Sequence, residues 1–489
     1  MVDWGALKRI FWNSAGEPLL FHSGLFLFIF SVFLIAYAAV ADKITTRNAL
    51  ITIFSFYFYY MTSGLFLILL VTTISLDYFF SWLITKQKRN WARKFFLACG
   101  ILFSLSFLLY FKYRNFFLGN VNQFWGTHFT LIKLVLPIGI SFYTFQSISF
   151  LVDTYKRKMA FPGYGEYLMY MSFFPHLIAG PIVRAADFLP QAARKISVSK
   201  EDVNEALYLI SKGLIKKAII GDFIAQYSDV VFSQPAGFTG TENILATLCY
   251  TFQIFFDFSG YTDMAIGIAL LLGFRLGVNF RSPYRSLNIT EFWRRWHISL
   301  SSWLRDYIYI PMGGNARGLF LQLFFLLVTM LIGGFWHGAD WKFVFWGGAH
   351  GILLMLHKLN MRVIPAVKPK VIRAIFKPFR WAVTFCCVAL LWIPFRAASM
   401  SDALVMYRSV FHGIDLHMAK LIAWNNPLLL SIFGIGVILA LFSPAIKTFT
   451  RRTYDKSHFI VKMLAMVIII QVIIQMRTAD VHPFIYFDF

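Results

Sequence analysis

One histidine of this sequence, His337, lies in a short segment of glycine and aromatic residues, Gly333–Trp341 (GGFWHGADW), between two long apolar stretches. Glycine permits a close approach of neighbouring backbone around the imidazole. A titratable side chain in an apolar layer costs free energy unless it faces a polar cavity, so such a residue is a candidate functional group. The residues alone leave two placements open: a buried, working imidazole, or an exposed turn beside Asp340.

A second candidate, His297, lies in the segment Arg281–Gly314, which is rich in arginine and tryptophan. Asn288 or Thr290 is suited to cap a helix at its start, and Glu291 would stabilise the positive end of that helix. Spacings of three and four residues place an apolar set on one helical face: Trp293, Trp296, His297, Leu300 and Leu304. We therefore expect His297 on the buried side, either as part of an interfacial helix or as a working imidazole.

Four other side chains are weaker candidates. His176, His350 and His357 occur in apolar stretches and are expected to be structural. Tyr486 lies in the C-terminal segment Pro483–Phe489 (PFIYFDF). That segment forms either an aromatic belt at the membrane interface or a tail that brings the Tyr486 hydroxyl into a cavity, where it could accept an acyl group.

Several common chemistries lack their sequence signatures. The chain contains no G-x-S-x-G, H-E-x-x-H, Walker A or G-x-G-x-x-G pattern, which argues against serine hydrolase, zinc protease, P-loop and dinucleotide-binding functions. The 4 cysteines have no C-x-x-C spacing, so we expect neither disulfides nor zinc. No metal and no permanently bound cofactor is predicted.

The elements that must position these residues are membrane helices. Of the 489 residues, 58% are apolar and only 14% are charged, against about 25% charged residues in soluble domains. Repeated apolar stretches approach the ~20 residues that a helix needs to cross a bilayer. We predict an all-α polytopic membrane protein with about a dozen crossings, near 22–41, 48–61, 64–85, 95–113, 133–152, 207–232, 243–272, 319–338, 341–359, 381–397, 427–445 and 459–476.

The charge distribution predicts the orientation of these crossings. The formal net charge is +23, and in a membrane protein basic residues gather in cytoplasmic loops rather than mark a nucleic-acid partner. Most of the basic loop residues fall in alternate loops: 42–47, 86–94, 155–158, 361–380 and 447–456. We therefore expect these loops in the cytoplasm and both termini outside it.

Two segments do not fit a simple crossing. Phe173–Arg184 (FFPHLIAGPIVR) is interrupted by glycine and proline and is predicted to be re-entrant, which requires an internal cavity to cover its backbone. Arg275–Gly318 is too polar to cross. No linker divides the chain, so we predict a single membrane domain, 1–489. Its predicted parts are an N-terminal interfacial segment (1–21), a catalytic core (172–359) and a last span with an aromatic tail (459–489).

Four sequence blocks and the C-terminal segment carry a resemblance to a known family. The blocks are SFFPHLIAGPIVR (172–184), FDFSGYTDMAIG (256–267), NFRSPYRSLNITEFWRRWHISLSSWLRDYIYIPMGGN (279–315) and GGFWHGADW (333–341). On these blocks the chain resembles the membrane-bound O-acyltransferases, most closely their bacterial branch that acetylates polysaccharides such as alginate. The branch that transfers D-alanine to teichoic acid is similar over the same blocks.

The resemblance implies a fold and a site. The fold would be a ring of tilted helices with re-entrant and short helices around a central tunnel that joins the two membrane faces. His337 matches the catalytic histidine of the family. His297 matches a second polar position, which orients the acyl donor or acceptor or helps to stabilise the developing charge.

The resemblance also implies an activity in a bacterial cell (inner) membrane. An acetyl group would pass from a cytoplasmic thioester, acetyl-CoA or an acyl carrier, to an extracytoplasmic polysaccharide through an esterase-like partner transferase. Tyr486 would be a possible acyl relay. Five arginines are candidate contacts for the donor phosphates, or equally for lipid headgroups: Arg281, Arg285, Arg294, Arg295 and Arg305. The alternatives are D-alanyl transfer to teichoic acid, a secondary transporter and a non-catalytic scaffold of an export complex.

Overall fold

The structure, a computed structural model, describes residues 19–363 and 375–476 as α-helices joined by short loops, π-helical turns and 3-10 turns. The helices of the first part of the chain are α1 (Gly24–Ala38), α2 (Ile44–Ser63), α3 (Phe66–Lys86), α4 (Asn90–Leu108), α5 (Arg114–Trp125), α6 (Ile140–Tyr155), α7 (Tyr164–Ser172), α8 (Phe174–Leu177), α9 (Ala185–Ala192), α10 (Lys200–Leu214), α11 (Asp222–Ser233) and α12 (Gly240–Leu271). Those of the later part are α13 (Ile289–Arg295), α14 (Ile298–Leu304), α15 (Ile310–Met312), α16 (Gly318–His337), α17 (Trp341–Val363), α18 (Lys377–Arg396), α19 (Met400–His412), α20 (Leu416–Asn425), α21 (Pro427–Leu441), α22 (Ser443–Lys456) and α23 (Phe459–Met476).

The helices confirm an all-α polytopic membrane protein, but not the predicted number of crossings. Each of the predicted apolar stretches contains helix. Within the described ranges, 6 helices are long and apolar enough to cross a membrane: α3, the continuous helix Asn90–Trp125, α12, α16, α18 and α23. The pair α20 and α21, bent by 97°, would make a seventh if it forms one span.

Three of the remaining predicted crossings fall short for physical reasons. Helix α1 has only 15 residues, fewer than the ~20 that a crossing needs. The stretch 207–232 contains a π-helical turn, Ile215–Gly221, and 5 charged residues, and charged side chains are costly within a bilayer. Helix α6 has 16 residues, several of them polar, and nearly all are buried. Some apolar stretches are thus interior helices rather than lipid-facing crossings.

The chain forms two compact units. The first comprises the chain up to Ile210 together with Met264–Gly277. On α3 of this unit, Asp77 is fully buried and accepts a hydrogen bond of 2.6 Å from the Ser104 hydroxyl on α4. This carboxylate of the first unit is thus paired within the interior, as a polar group must be in a layer that offers no water.

The predicted break at residues 173–184 is present in the first unit. Helix α8 has only 4 residues, and residues 173–183 are all buried. Gly180 lies so close to the preceding turn that a Cβ there would be 2.4 Å from the His176 Cα. His176 Nε2 lies 2.9 Å from the Tyr170 carbonyl oxygen, in keeping with a structural histidine. The re-entrant path of this segment through a bilayer remains a prediction.

The second unit comprises Ser211–Asp263 and the chain from Val278 onward. Its helices α16 and α17 form a hairpin whose backbones touch. A Cβ at Gly334 would lie 2.3 Å from the Phe343 carbonyl oxygen, and one at Gly347 would lie 2.3 Å from the Met330 carbonyl oxygen. Small residues allow such close helix packing in membranes, and here they fix the end of α16, where His337 lies.

Candidate active site

His337 is the last residue of α16 and is only 3% exposed. Its ring centroid lies 4.9 Å from that of Trp336 and 5.1 Å from those of Trp346 and Phe395. The imidazole is therefore enclosed by aromatic rings from α16, α17 and α18. Of the two placements that the sequence left open, the exposed turn is wrong, because the imidazole is buried.

His297 is fully buried, as predicted, but it does not lie within one continuous helix. Helix α13 ends at Arg295 and α14 begins at Ile298. His297 stands between them with φ 42° and ψ 55°, a left-handed backbone conformation. This conformation costs an L-residue about 1–2 kcal/mol, and such strain concentrates at functional sites. The predicted face from Trp293 to Leu304 is thus wrong in geometry, although its burial is correct.

The break at His297 is held by a neighbouring strand-like segment. The Ile298 N–H donates to the Asn279 carbonyl oxygen at 3.0 Å, and the Arg281 N–H donates to the Arg295 carbonyl oxygen at 3.0 Å. The Ser299 N–H donates to the Asn279 side-chain oxygen at 3.1 Å. These bonds satisfy the backbone groups that the interrupted helix leaves open, and they explain why the helical periodicity did not continue.

The two candidate histidines meet at one indole ring. The centroid of the His297 imidazole lies 6.4 Å from that of Trp336 and 4.7 Å from that of Phe258. Trp336 also contacts His337. Burial lowers the pKa of His297 below the ordinary value of an imidazole, so the ring is neutral at pH 7. The fold thus brings together the two histidines that the sequence singled out.

A third histidine, His350 on α17, joins the same aromatic surroundings. It is fully buried, and its ring centroid lies 4.7 Å from Trp346 and 5.1 Å from Trp293. Neither ring nitrogen has a hydrogen-bond partner within the described ranges. Trp346 separates it from His337. We call His297, His337 and His350, with the aromatic rings around them, the imidazole cluster.

The start of α13 agrees with the sequence in part. Asn288 caps the helix, since its side-chain oxygen accepts from the Glu291 N–H at 2.8 Å. The Glu291 carboxylate in turn accepts at 2.9 Å from the N–H of Leu287, the residue before the cap. Thr290 is not the cap. Its hydroxyl lies 2.9 Å from His357 Nδ1 on α17, which gives His357 a structural contact between the two helices.

The five arginines lie outside the imidazole cluster. Four of them are exposed on the segment that carries His297: Arg281, Arg285, Arg294 and Arg305. Arg295 pairs with Glu291 at 2.6 Å, and Arg305 pairs with Asp306 at 2.7 Å. Their charges are therefore available to an anion at the surface, in two cases in competition with an acidic neighbour.

Part of the predicted site falls outside the described residues. Tyr486 and the rest of the aromatic tail follow Met476, the last described residue, and 18 residues of the N-terminal interfacial segment precede Leu19, the first. The acyl relay and the interfacial helix therefore remain predictions.

The sequence missed several residues that shape the site. Trp336, Trp346 and Phe395 enclose His337, and only the spacing of Trp346 and His350, one helical turn apart, was a visible signal. Asn279 had none, because its contact to the chain beside His297 depends on a fold-back of about 20 residues.

The arrangement suits proton transfer in a low-dielectric setting. A neutral imidazole accepts a proton from a hydroxyl group and returns it to a leaving group. The aromatic walls exclude water, which strengthens every electrostatic interaction in the site. With two imidazoles packed against one indole, one ring can accept the proton while the other orients the reactants.

Comparison with known proteins shows the family of this chain. The model of the membrane-bound O-acyltransferase family matches residues 52–393, which include both candidate histidines. A peptidoglycan O-acetyltransferase of Helicobacter pylori is 36% identical over 439 residues, covering 82% of this chain and 82% of that protein.

Two further relatives extend the comparison. A probable alginate O-acetylase, AlgI, of Pseudomonas aeruginosa is 39% identical over 401 residues, covering 80% of this chain and 75% of that protein. A teichoic acid D-alanyltransferase of Bacillus subtilis is 29% identical over 283 residues, 54% of this chain and 69% of that protein. With its membrane helices, its imidazole cluster and a family match over most of its length, the chain is a multi-pass O-acyltransferase and belongs to the membrane-bound O-acyltransferase family.

Proposed function

We propose that the protein moves an acetyl group from a cytoplasmic thioester across the membrane for the O-acetylation of an extracytoplasmic polysaccharide. The relatives named for acetyl transfer are 36% and 39% identical and cover most of this chain. The observation that carries the proposal is the burial of His297 and His337 against the same tryptophan, because it places two imidazoles side by side in an apolar site.

In the proposed reaction His337 is the general base. It takes the proton from the acceptor hydroxyl while the oxygen attacks the thioester carbonyl carbon. The new C–O bond forms, the C–S bond breaks, and the proton passes from His337 to the departing thiolate, so that a free thiol and an ester result. Such a base contributes about 10²–10⁴-fold to the rate. His297 orients the donor or acceptor, or helps to stabilise the charge that develops on the carbonyl oxygen.

The donor is proposed to enter from the cytoplasm. Acetyl-CoA and acyl carriers both present phosphates, and Arg281, Arg285 and Arg294 offer exposed guanidinium groups near the His297 segment, with Arg295 and Arg305 as further contacts. Arginine binds phosphate through paired hydrogen bonds. The cytoplasmic position of the donor rests on the charge rule, which also places both termini outside.

The acceptor is proposed to arrive from the opposite face through a central tunnel, in a core of tilted helices in a bacterial inner membrane. An esterase-like partner transferase would take the acetyl group and complete the transfer to the polymer. Tyr486 is the proposed relay between the two proteins. Replacement of Tyr486 by phenylalanine, which removes only the hydroxyl, should then abolish transfer to the partner.

The second candidate function is D-alanyl transfer to teichoic acid. The similarity to a teichoic acid D-alanyltransferase favours it, but at lower identity and coverage than the acetyl-transferring relatives. The choice of donor separates the two: acetyl-CoA for the first, a D-alanyl carrier protein for the second. A transporter or a scaffold would break neither thioester.

The test uses purified full-length protein in detergent with acetyl-CoA and measures the release of free thiol as the acetyl group passes to the Tyr486 hydroxyl or to water. His337→Ala should reduce the release by about 10²–10⁴-fold, because the base is lost. His412→Ala is the matched control, since His412 is an exposed histidine at the end of α19 and should leave the rate unchanged. Both variants are checked for folding by gel filtration and thermal unfolding. A folded His337→Ala protein with the wild-type rate would refute the catalytic assignment.

A further inference from the structure

Asn279 lies beside the imidazole cluster and has a side-chain atom that is buried with no partner in the described part of the chain. The residue is only 1% exposed. Its side-chain oxygen accepts the Ser299 N–H at 3.1 Å, whereas its side-chain nitrogen, Nδ2, has no hydrogen-bond partner within residues 19–363 and 375–476. Buried polar atoms are nearly always hydrogen-bonded, and each exception requires an explanation.

The orientation of this amide is fixed by its neighbours. The oxygen and nitrogen of an asparagine side chain are assigned from the hydrogen-bond network. A backbone N–H can only donate, so the atom that faces the Ser299 N–H must be the oxygen. The two N–H groups of Nδ2 therefore point to the other side of the amide. An exchange of the two atoms cannot satisfy them.

The position of Asn279 connects it to His297. Its backbone oxygen accepts from Ile298 and its side-chain oxygen from Ser299, the two residues that follow His297 in the chain. The next residue, Phe280, packs against Trp296 and Phe258 at 5.1 Å each, and Phe258 in turn contacts the His297 ring. Asn279 thus holds the chain on one side of His297, while the N–H groups of its Nδ2 remain without a partner in the described part of the chain.

We propose that Asn279 binds the acyl donor: its Nδ2 donates a hydrogen bond to the carbonyl oxygen of the thioester. This inference rests on the proposed function, because it takes the substrate to be a thioester. A carbonyl oxygen is an acceptor without a proton, which is the partner that two unpaired N–H groups require. As the acceptor attacks, negative charge develops on that oxygen, and a fixed amide donor stabilises it. The bond to the substrate replaces no protein hydrogen bond, so binding satisfies a group that the fold leaves open.

The test separates the acyl carbonyl from the rest of the donor. Binding to purified full-length protein in detergent is measured by calorimetry with two probes: coenzyme A, which has no acyl group, and a ketone analogue of acetyl-CoA, in which a methylene replaces the sulfur. Asn279→Asp keeps the size of the side chain and the oxygen for the Ser299 N–H, but a carboxylate has no proton to donate. We expect the analogue to bind this variant at least about 10-fold more weakly than wild type, with coenzyme A unchanged.

Asn288→Asp is the matched control. Asn288 makes the same kind of side-chain bond, to the Glu291 N–H, and aspartate is an equally good helix cap, so both probes should bind as in wild type. Thiol release from acetyl-CoA should fall by about 10²-fold in Asn279→Asp and remain unchanged in Asn288→Asp.

The possible outcomes distinguish this inference from the proposed function. In one outcome the wild-type protein releases thiol and Asn279→Asp binds the analogue normally. This result would overturn the role of Asn279 and leave the proposed function intact. In another outcome Asn279→Asp loses binding of the analogue but not of coenzyme A, and the wild-type protein releases no thiol. This result would support the carbonyl contact and refute the catalytic proposal. Equal weakening of both probes would show that Asn279 acts only through the fold, and absence of analogue binding to wild type would also overturn the inference.

Discussion

The second unit buries two polar clusters, and they differ in how charge is balanced. In the first, Lys217 is 1% exposed and lies 2.6 Å from Asp222 and 2.5 Å from Asp257. Nearby, Asp263 pairs with Lys212 at 3.0 Å and with Lys216 at 2.7 Å. We call these six residues the ion cluster. In the imidazole cluster, by contrast, the neighbours of the histidines are aromatic rings.

The difference indicates separate tasks. Charges removed from water are tolerated when they are paired and hydrogen-bonded, and the ion cluster closes the π-helical turn Ile215–Gly221 against α12 in this way. Asp257, Gly260 and Asp263 share one face of α12, and a Cβ at Gly260 would lie 2.8 Å from the Lys217 N. The ion cluster is thus a structural clamp. The imidazole cluster instead packs its histidines against aromatic rings, which is the setting that the proposed proton transfer requires.

The largest effect on stability is expected from a substitution in the ion cluster. Lys217→Met removes the ammonium group and leaves two carboxylates facing each other, which should destabilise the protein by about 3–5 kcal/mol. The measurement is the yield of monodisperse protein in detergent and its thermal unfolding. Lys212→Met is the control, since Asp263 keeps Lys216 as a partner, and its cost should stay below about 1 kcal/mol.

A second variant keeps this prediction testable if Lys217→Met does not accumulate. Adding Asp257→Asn removes one of the two uncompensated charges, so the double variant should recover part of the yield and stability. Wild-type stability of Lys217→Met alone would show that the ion cluster is not the clamp described above.

The next effect separates strain from chemistry at His297. His297→Gly and His297→Ala both remove the imidazole, and each should reduce thiol release by about 10²-fold. The glycine variant should nevertheless be the more stable of the two by about 1 kcal/mol, because only glycine adopts the left-handed conformation at no cost. Thermal unfolding and the thiol assay on the same preparations provide both quantities.

Arg157 is the matched control for this pair of variants. It is an exposed residue that also has a left-handed backbone, with φ 55°, and it lies outside the second unit. Arg157→Gly and Arg157→Ala should show the same order of stability with unchanged thiol release. If the alanine variant of His297 is as stable as the glycine variant while the Arg157 pair differs, the backbone at His297 is not strained.

Local patterns predicted the composition of the site better than its geometry. The motif around His337 and the apolar face that carries His297 were visible in the sequence, since both reflect burial. The helix break at His297 was not, because it depends on hydrogen bonds from Asn279, whose position follows from the tertiary fold. For the same reason the π-helical turn within 207–232, which brings Lys217 to Asp257, was read as part of a continuous crossing.

The smallest effect is expected at His350, which tests where the imidazole cluster ends. Phenylalanine at this position would keep the ring packed between Trp293 and Trp346 and would delete two nitrogens that have no partner in the described part of the chain. Replacing an unpaired buried polar group by an apolar one of similar shape is nearly neutral or stabilising. We therefore expect His350→Phe to unfold at or slightly above the wild-type temperature, with thiol release close to wild type.

A loss of activity in His350→Phe would extend the proposed catalytic site to a third histidine. Because Trp346 contacts both His337 and His350, that indole connects His350 to the proposed base. His350→Phe with normal stability but strongly reduced thiol release would mean that the third imidazole takes part in catalysis. A parallel variant is His357→Phe. His357 lies seven residues after His350 on α17, and its ring nitrogen contacts Thr290, which joins α13 to α17. We expect this variant to lose some stability and little activity. Together the two variants determine whether function in this cluster follows burial alone or requires contact with the ring that His297 and His337 share.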